Sequence, residues 1–138
     1  MKGVPIRLEV GPKDIENSQC VLVRRDSGEK LAVSFDALAD SALKLLDDIH
    51  DGMFAKALKN LQENTHVAHS LEEAKAIQQE KGGFVKTMWC GDLDCEMKMK
   101  DEAGMSSRCR PYNQEQLDDH CAICGKKAKE MVIWGVAY

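Results

Sequence analysis

Four of the six cysteines fall into two close pairs, Cys90-x4-Cys95 and Cys121-x2-Cys124, while Cys20 and Cys109 stand alone. A tetrahedral divalent ion needs four soft or borderline ligands, and two short-spaced pairs let each segment wrap the ion as a knuckle, with Gly91 and Gly125 easing the turns. The spacing therefore predicts a zinc ion held by Cys90, Cys95, Cys121 and Cys124, against the alternatives of a redox pair or buried free thiols. Four thiolates fill every position around zinc and leave none for water, so such a site is structural rather than catalytic. It would stabilise a small lobe that buries too little by itself, and acid would release the metal because only thiolates bind it. His120 adjoins Cys121 and is the rival ligand, although the set is complete without it and an exposed histidine is expected. Cys20 and Cys109 lie on predicted strands, where small buried apolar residues are expected.

No other constellation with chemistry emerges. There is no phosphate-binding glycine loop and no Gly-x-Ser-x-Gly elbow, and the histidines at 50, 66, 69 and 120 lack a nucleophile partner. His66 and His69 have a spacing that fits a helix terminus or a surface better than a metal. Of 138 residues 43% are apolar and 30% charged, which suits a well-solvated globular protein of one or two domains. The apolar stretches are short and broken by charge, so neither a membrane span nor a signal peptide is expected and the reading is cytoplasmic. The formal charge of -4 is unevenly spread. Up to Phe35 six basic residues (Lys2, Arg7, Lys13, Arg24, Arg25, Lys30) face five acidic ones, and from Asp36 onward thirteen face eighteen. The N-terminal part is the better nucleic-acid candidate.

The elements that must position these residues follow from periodicity. Val4, Ile6, Leu8 and Val10 alternate with polar neighbours as a strand ended by Gly11-Pro12. A second strand, Cys20 to Arg24, leads through Asp26-Ser27-Gly28 into a third carrying Leu31, Val33 and Phe35, which is a hairpin. Three strands so close to the N-terminus make an open sheet, and the exposed edges of Val4, Ile6 and Leu8 are expected to drive dimerisation or strand swapping. Leu38, Ala42, Leu45, Ile49, Met53, Ala57 and Leu61 recur at helical steps, so a long amphipathic helix is predicted from about Asp36 to Asn64, loosened at Gly52 and bridging two domains. Ser70 and Glu73 form a capping box that opens a helix running to about Lys81, stopped by Gly82-Gly83. Phe84 to Trp89 reads as a strand, Leu93 to Ala103 as a helix, and Ser107 to Tyr112 and Glu130 to Val136 as strands.

The residues also carry a family likeness. The run from Lys2-Gly-Val-Pro-Ile-Arg-Leu-Glu-Val to Gly-Pro-Lys-Asp14, with Val21 to Lys30, resembles the closing half of the anticodon-binding domain of prolyl-tRNA synthetases of the archaeal and eukaryotic type. Glu63 to His66, Gly83-Phe84, Trp89 to Asp92, Cys95-Glu96, Ser107 to Pro111, Cys121 to Gly125 and Ala137-Tyr138 are similar to that family's C-terminal zinc domain.

The resemblance implies a fold of class α+β: the C-terminal part of an anticodon-binding α/β domain over residues 1–37, then a small zinc-binding α+β domain with an antiparallel sheet over 38–138. It implies structural zinc on the four paired cysteines, and anticodon contacts from Arg7, Lys13, Asp14 and Lys30. Proline anticodons end in two guanines, whose O6 and N7 suit Arg or Lys and whose N1-H and N2-H suit a carboxylate. The family places the terminal carboxylate, here on Tyr138, near the synthetic active site. The class II core that binds ATP and proline, and the first half of the anticodon domain, are expected to lie outside these residues, so this chain alone is expected to be inactive. Implied partners are proline tRNA and the catalytic core of a parent ligase, itself a homodimer. The alternative is a free-standing zinc module for RNA or protein interaction, derived from the synthetase.

Overall fold

The computed structural model describes residues 3–137, so Lys2 and Tyr138, with the role expected for its carboxylate, lie outside the described residues. The chain is α+β and divides into two compact units, which meet in sequence between Lys59 and Asn60.

The first unit holds β1 (Ile6–Glu9), α1 (Pro12–Glu16), β2 (Gln19–Arg24), β3 (Lys30–Ser34) and most of α2 (Leu38–Glu63). Its sheet has the order β1-β2-β3, antiparallel throughout. The expected hairpin is present: Asp26-Ser27-Gly28 joins β2 to β3, and the Arg24 N–H donates to the Glu29 carbonyl at 2.9 Å. Strand periodicity gave no sign of α1, a single short turn opened by Pro12 and fastened where Asp14 accepts the Gly11 N–H at 2.9 Å. Because side chains alternate across a strand, Ile6, Leu22 and Val33 share one face. Leu45 and Ile49 of α2 pack on that face, with Leu38 and Ala42 beside them.

Helix α2 runs unbroken through Gly52, so the loosening expected there does not occur. Its predicted apolar stripe is buried only in part. Leu45 and Ile49 are covered, whereas Met53 is 60% exposed and Leu61 50%. Ile6 is half-buried against the Leu22 cluster, while Val4 and Leu8 are exposed as expected.

The second unit contains β4 (Thr65–Val67), α3 (Leu71–Glu80), β5 (Phe84–Trp89), α4 (Leu93–Ala103), β6 (Ser106–Cys109) and β7 (Glu130–Gly135). The sheet order is β4-β5-β7-β6, with β7 antiparallel to both β5 and β6. Strand β4 adds to β5 in parallel, so the sheet is mixed. A parallel pair needs a crossover, and α3 supplies it, making β4-α3-β5 a βαβ unit. At the head of α3 the Ser70 hydroxyl accepts the Glu73 N–H at 3.1 Å, and the Glu73 carboxylate reaches back to the His69 N–H at 2.7 Å, one residue beyond the usual box.

The core lies between this sheet and the helices α3 and α4. Trp134 is fully buried, its indole N–H donates to Thr87 Oγ1 at 3.0 Å, and its ring meets Trp89 edge-on with centroids 6.4 Å apart. Ala74, Val85, Met99, Met105 and Val132 complete the packing. Gly83 is required by close approach: its φ is +81°, and a Cβ there would stand 2.3 Å from the Asn64 carbonyl oxygen. That same oxygen accepts the Phe84 N–H at 2.8 Å, which fixes the start of β5 beside β4.

Candidate metal centre and nucleic-acid face

Three separate elements bring the paired cysteines together. Cys90 leaves the end of β5, Cys95 sits in the opening turns of α4, and Cys121 and Cys124 lie on the turn before β7. Backbone bonds close that turn: Gly125 N–H donates to the Cys121 carbonyl at 2.9 Å and Cys121 N–H to the Lys126 carbonyl at 2.7 Å. Ala122 N–H binds the Met88 carbonyl and Lys129 N–H the Trp89 carbonyl, which holds the turn against the end of β5. Asp92 caps α4 through the Asp94 N–H at 3.2 Å, setting the helix start on which Cys95 depends.

The four sulfur atoms all lie within 4.8 Å of one another, with Cys90 Sγ 3.7 Å from both Cys95 Sγ and Cys124 Sγ. A tetrahedral ion with metal–sulfur bonds of about 2.3 Å, the length zinc makes, places its ligands about 3.8 Å apart. Donor number, donor chemistry and spacing therefore fit a tetrahedral divalent metal. Cys90, Cys95 and Cys121 are buried and Cys124 is exposed. Burial, followed by the neighbouring Cys124 thiol, pushes Cys95 up; burial also raises Cys121. The Lys126 backbone N–H brings Cys124 down to about 7. A bound cation would reverse the cost of gathering these sulfurs as thiolates.

His120 is exposed and stands outside the sulfur cluster, with Nδ1 3.5 Å from Asp118. The other oxygen of Asp118 lies 3.5 Å from His69 Nδ1, and the backbone N–H of His120 holds the Asp118 carboxyl below the usual range. His66 sits on β4 rather than at a helix end. Of the two solitary cysteines, Cys20 is fully buried, as expected, but Cys109 is exposed. It ends β6, the edge strand of the described sheet, beside the bulge between Ser107 and Cys109 and in one row with Ile133 and Lys86, on the face opposite Trp134.

In the first unit two of the four charged candidates, Arg7 and Lys30, stand on the sheet face opposite α2. Arg7, Val23 and Lys30 are cross-strand partners in one row, one from each strand. Glu9 follows Arg7 on the same face of β1. Arg7 donates to Glu9 Oε1 from Nε at 3.0 Å and from Nη2 at 2.6 Å, and Lys30 Nζ donates to Glu9 Oε2 at 3.3 Å. These two partners, Arg7 first and then Lys30, hold the Glu9 carboxyl below its ordinary value. Lys13 and Asp14 are carried by α1. Asp14 accepts Gln19 Nε2 at 3.4 Å as well as the Gly11 N–H, which fastens α1 to the first residue of β2. The structure thus pairs Arg7 with Lys30 through Glu9, and sets Lys13 and Asp14 on a separate turn.

Two family models match the chain. One, described as the anticodon binding domain, covers residues 1–45, and the other, described as prolyl-tRNA synthetase, C-terminal, covers residues 71–138. The chain belongs to the C-terminal region of the prolyl-tRNA synthetase family. It is 56% identical over all 138 residues to a proline-tRNA ligase of Clostridium novyi and 57% to proline-tRNA ligase 2 of Bacillus cereus. A proline-tRNA ligase of Clostridium botulinum is 51% identical over the same length. The chain spans 29% of the length of each of these curated relatives.

All four clustered cysteines lie inside the prolyl-tRNA synthetase match, and Arg7, Lys13, Asp14 and Lys30 lie inside the anticodon-binding match. Sequence reading missed the part of Glu9, which joins two of those four. Its only trace in the sequence is the strand alternation that puts Arg7 and Glu9 on one face; the pairing with Lys30 needs the register of three strands. No described helix is long and apolar enough to cross a membrane.

Proposed function

We propose that this chain is the recognition and support portion of a ligase that charges proline tRNA. In that ligase proline and ATP form prolyl-adenylate with release of pyrophosphate, and the terminal ribose of the tRNA then takes the prolyl group. ATP belongs to a catalytic core outside these residues, the assembly is a homodimer, and the setting is the cytoplasm. Residues 1–37 form part of the anticodon-binding domain and 38–138 the zinc domain. Cys90, Cys95, Cys121 and Cys124 hold a structural zinc that ties α4 and the β7 turn to β5.

The observation that carries the anticodon reading is the row across the open sheet face, where Arg7 of β1 and Lys30 of β3 flank Val23 of β2 and converge on Glu9. Splayed guanines offer O6 and N7 acceptors to such a pair and N1-H and N2-H donors to a carboxylate like Asp14. Lys13 beside Asp14 supplies a further donor. Aminoacylation kinetics of the full-length ligase test this. Arg7→Ala and Lys30→Ala should each lower kcat/KM for proline tRNA by about tenfold to hundredfold, the loss expected for one guanine contact. The same variants should charge a transcript with one anticodon guanine replaced about as poorly as the parent does. Unchanged kcat/KM with both variants would overturn the reading.

A further inference from the structure

We infer that Glu9 is a positioning and specificity-determining residue for guanine reading, bracing the Arg7 fork and the Lys30 ammonium side by side on the sheet face. The inference rests on the anticodon reading above and adds to it a residue that makes no contact with a base.

The geometry of the Arg7 contact is the starting point. Both N–H groups engaged by Glu9 come from the side of the guanidinium, Nε and Nη2, and both reach the single oxygen Oε1. A guanidinium carries five N–H donors in a rigid plane, so this grip leaves Nη1 and the outer N–H of Nη2 pointing away as a second fork. Two parallel donors in that arrangement match guanine O6 and N7. Lys30, held on the other carboxylate oxygen, keeps two further N–H donors for the same base or its neighbour.

Exposure supports the same conclusion. The Arg7 and Lys30 side chains are 69% and 62% exposed, and Glu9 between them only 38%. Ion pairs this open contribute little to folding, so the consequence of the cluster is orientation. Unbraced, each long side chain samples many rotamers, and both would be drawn to backbone phosphates, which carry no sequence information. Glu9 removes one unit of positive charge from the pair and fixes its direction, which trades undirected phosphate attraction for directed base contact.

The test uses the full-length ligase and measures kcat/KM for cognate proline tRNA against a transcript with one anticodon guanine replaced, at several salt concentrations. Glu9→Ala should cut this discrimination about tenfold. It should also steepen the salt dependence of tRNA binding by about one counterion, as the released cations turn to phosphate. Glu9→Gln, which keeps an acceptor but loses the charge, should fall between the two. The unfolding midpoint should not move, since the pairs are exposed. In an Arg7→Ala/Lys30→Ala background Glu9→Ala should have no further effect on discrimination.

Full discrimination in Glu9→Ala, or an equal loss in the background without Arg7 and Lys30, overturns the inference while leaving the anticodon reading intact. If Arg7→Ala and Lys30→Ala themselves leave discrimination unchanged, the anticodon reading fails and the role of Glu9 falls with it.

Discussion

The two units hold themselves together by different means. In the second, twelve buried residues among those described form one cluster around Trp134, Met99 and Met105, and four cysteines from three segments meet at its edge. In the first, the buried cluster is Leu22, Leu45 and Ile49, while Leu8, Leu43, Leu46, Met53 and Phe54 remain exposed. Small domains bury too little of their surface to be stable without help, and a metal site is one common remedy. The second unit has a core and a candidate metal staple. The first has one polar face with an organised ion cluster and one apolar face partly covered by α2. The contrast separates a unit built round a buried core from one that keeps a charged face open, the split that the proposed division into support and recognition requires.

The largest effect should come from the staple. Cys121→Ser or Cys95→Ser should abolish metal binding and the cooperative unfolding transition of the second unit, since structural zinc contributes about 10 kcal/mol or more to such folds. The first unit should keep its circular dichroism. If both units melt together, the contrast drawn above is wrong. Next in size is Trp134→Ala, which removes the largest fully buried side chain and its bond to Thr87, and should cost about 3–5 kcal/mol in denaturant unfolding of the metal-loaded protein.

Gly83→Ala sharpens the comparison by testing backbone rather than side chain. The Asn64 carbonyl oxygen and a φ of +81° leave no room for a methyl group, so a loss of about 1–3 kcal/mol is expected, confined to the second unit. For the first unit, the open apolar surface at Val4 and Leu8 predicts self-association of the 138-residue chain. Light scattering should show mass rising with concentration, and Leu8→Ser should suppress the rise; a monomer at all concentrations counts against it.

The smallest effect is the titration of Glu9. Its folded pKa lies below its ordinary value, so the stabilisation it brings is present above that value and is lost as pH falls through the folded pKa. Carboxyl chemical shifts followed by NMR should place its midpoint below the ordinary glutamate value, and Arg7→Ala, which removes the larger cause, should raise it.

Much of this was legible from residue spacing. The two cysteine pairs, the bounds of β5 and α4, and the hairpin at Asp26-Ser27-Gly28 all follow from local signals: ligand spacing, strand alternation and turn chemistry. What local signals do not carry is register and covering. The parallel addition of β4, the exposure of Cys109 on an edge strand and the bridge from Glu9 to Lys30 each depend on which strand lies beside which. Likewise the periodicity of α2 marks an apolar stripe along its length but not where the cover ends, after Ile49.

The most direct test is metal content paired with thiol reactivity in the purified, untagged protein. Elemental analysis should find one zinc per chain. In the folded, metal-loaded state Cys109 should react fast and alone, chelation should unmask Cys90, Cys95, Cys121 and Cys124, and Cys20 should stay protected in the first unit. No metal, together with fast reaction of the four clustered thiols before chelation in a second unit that remains folded, would contradict the account.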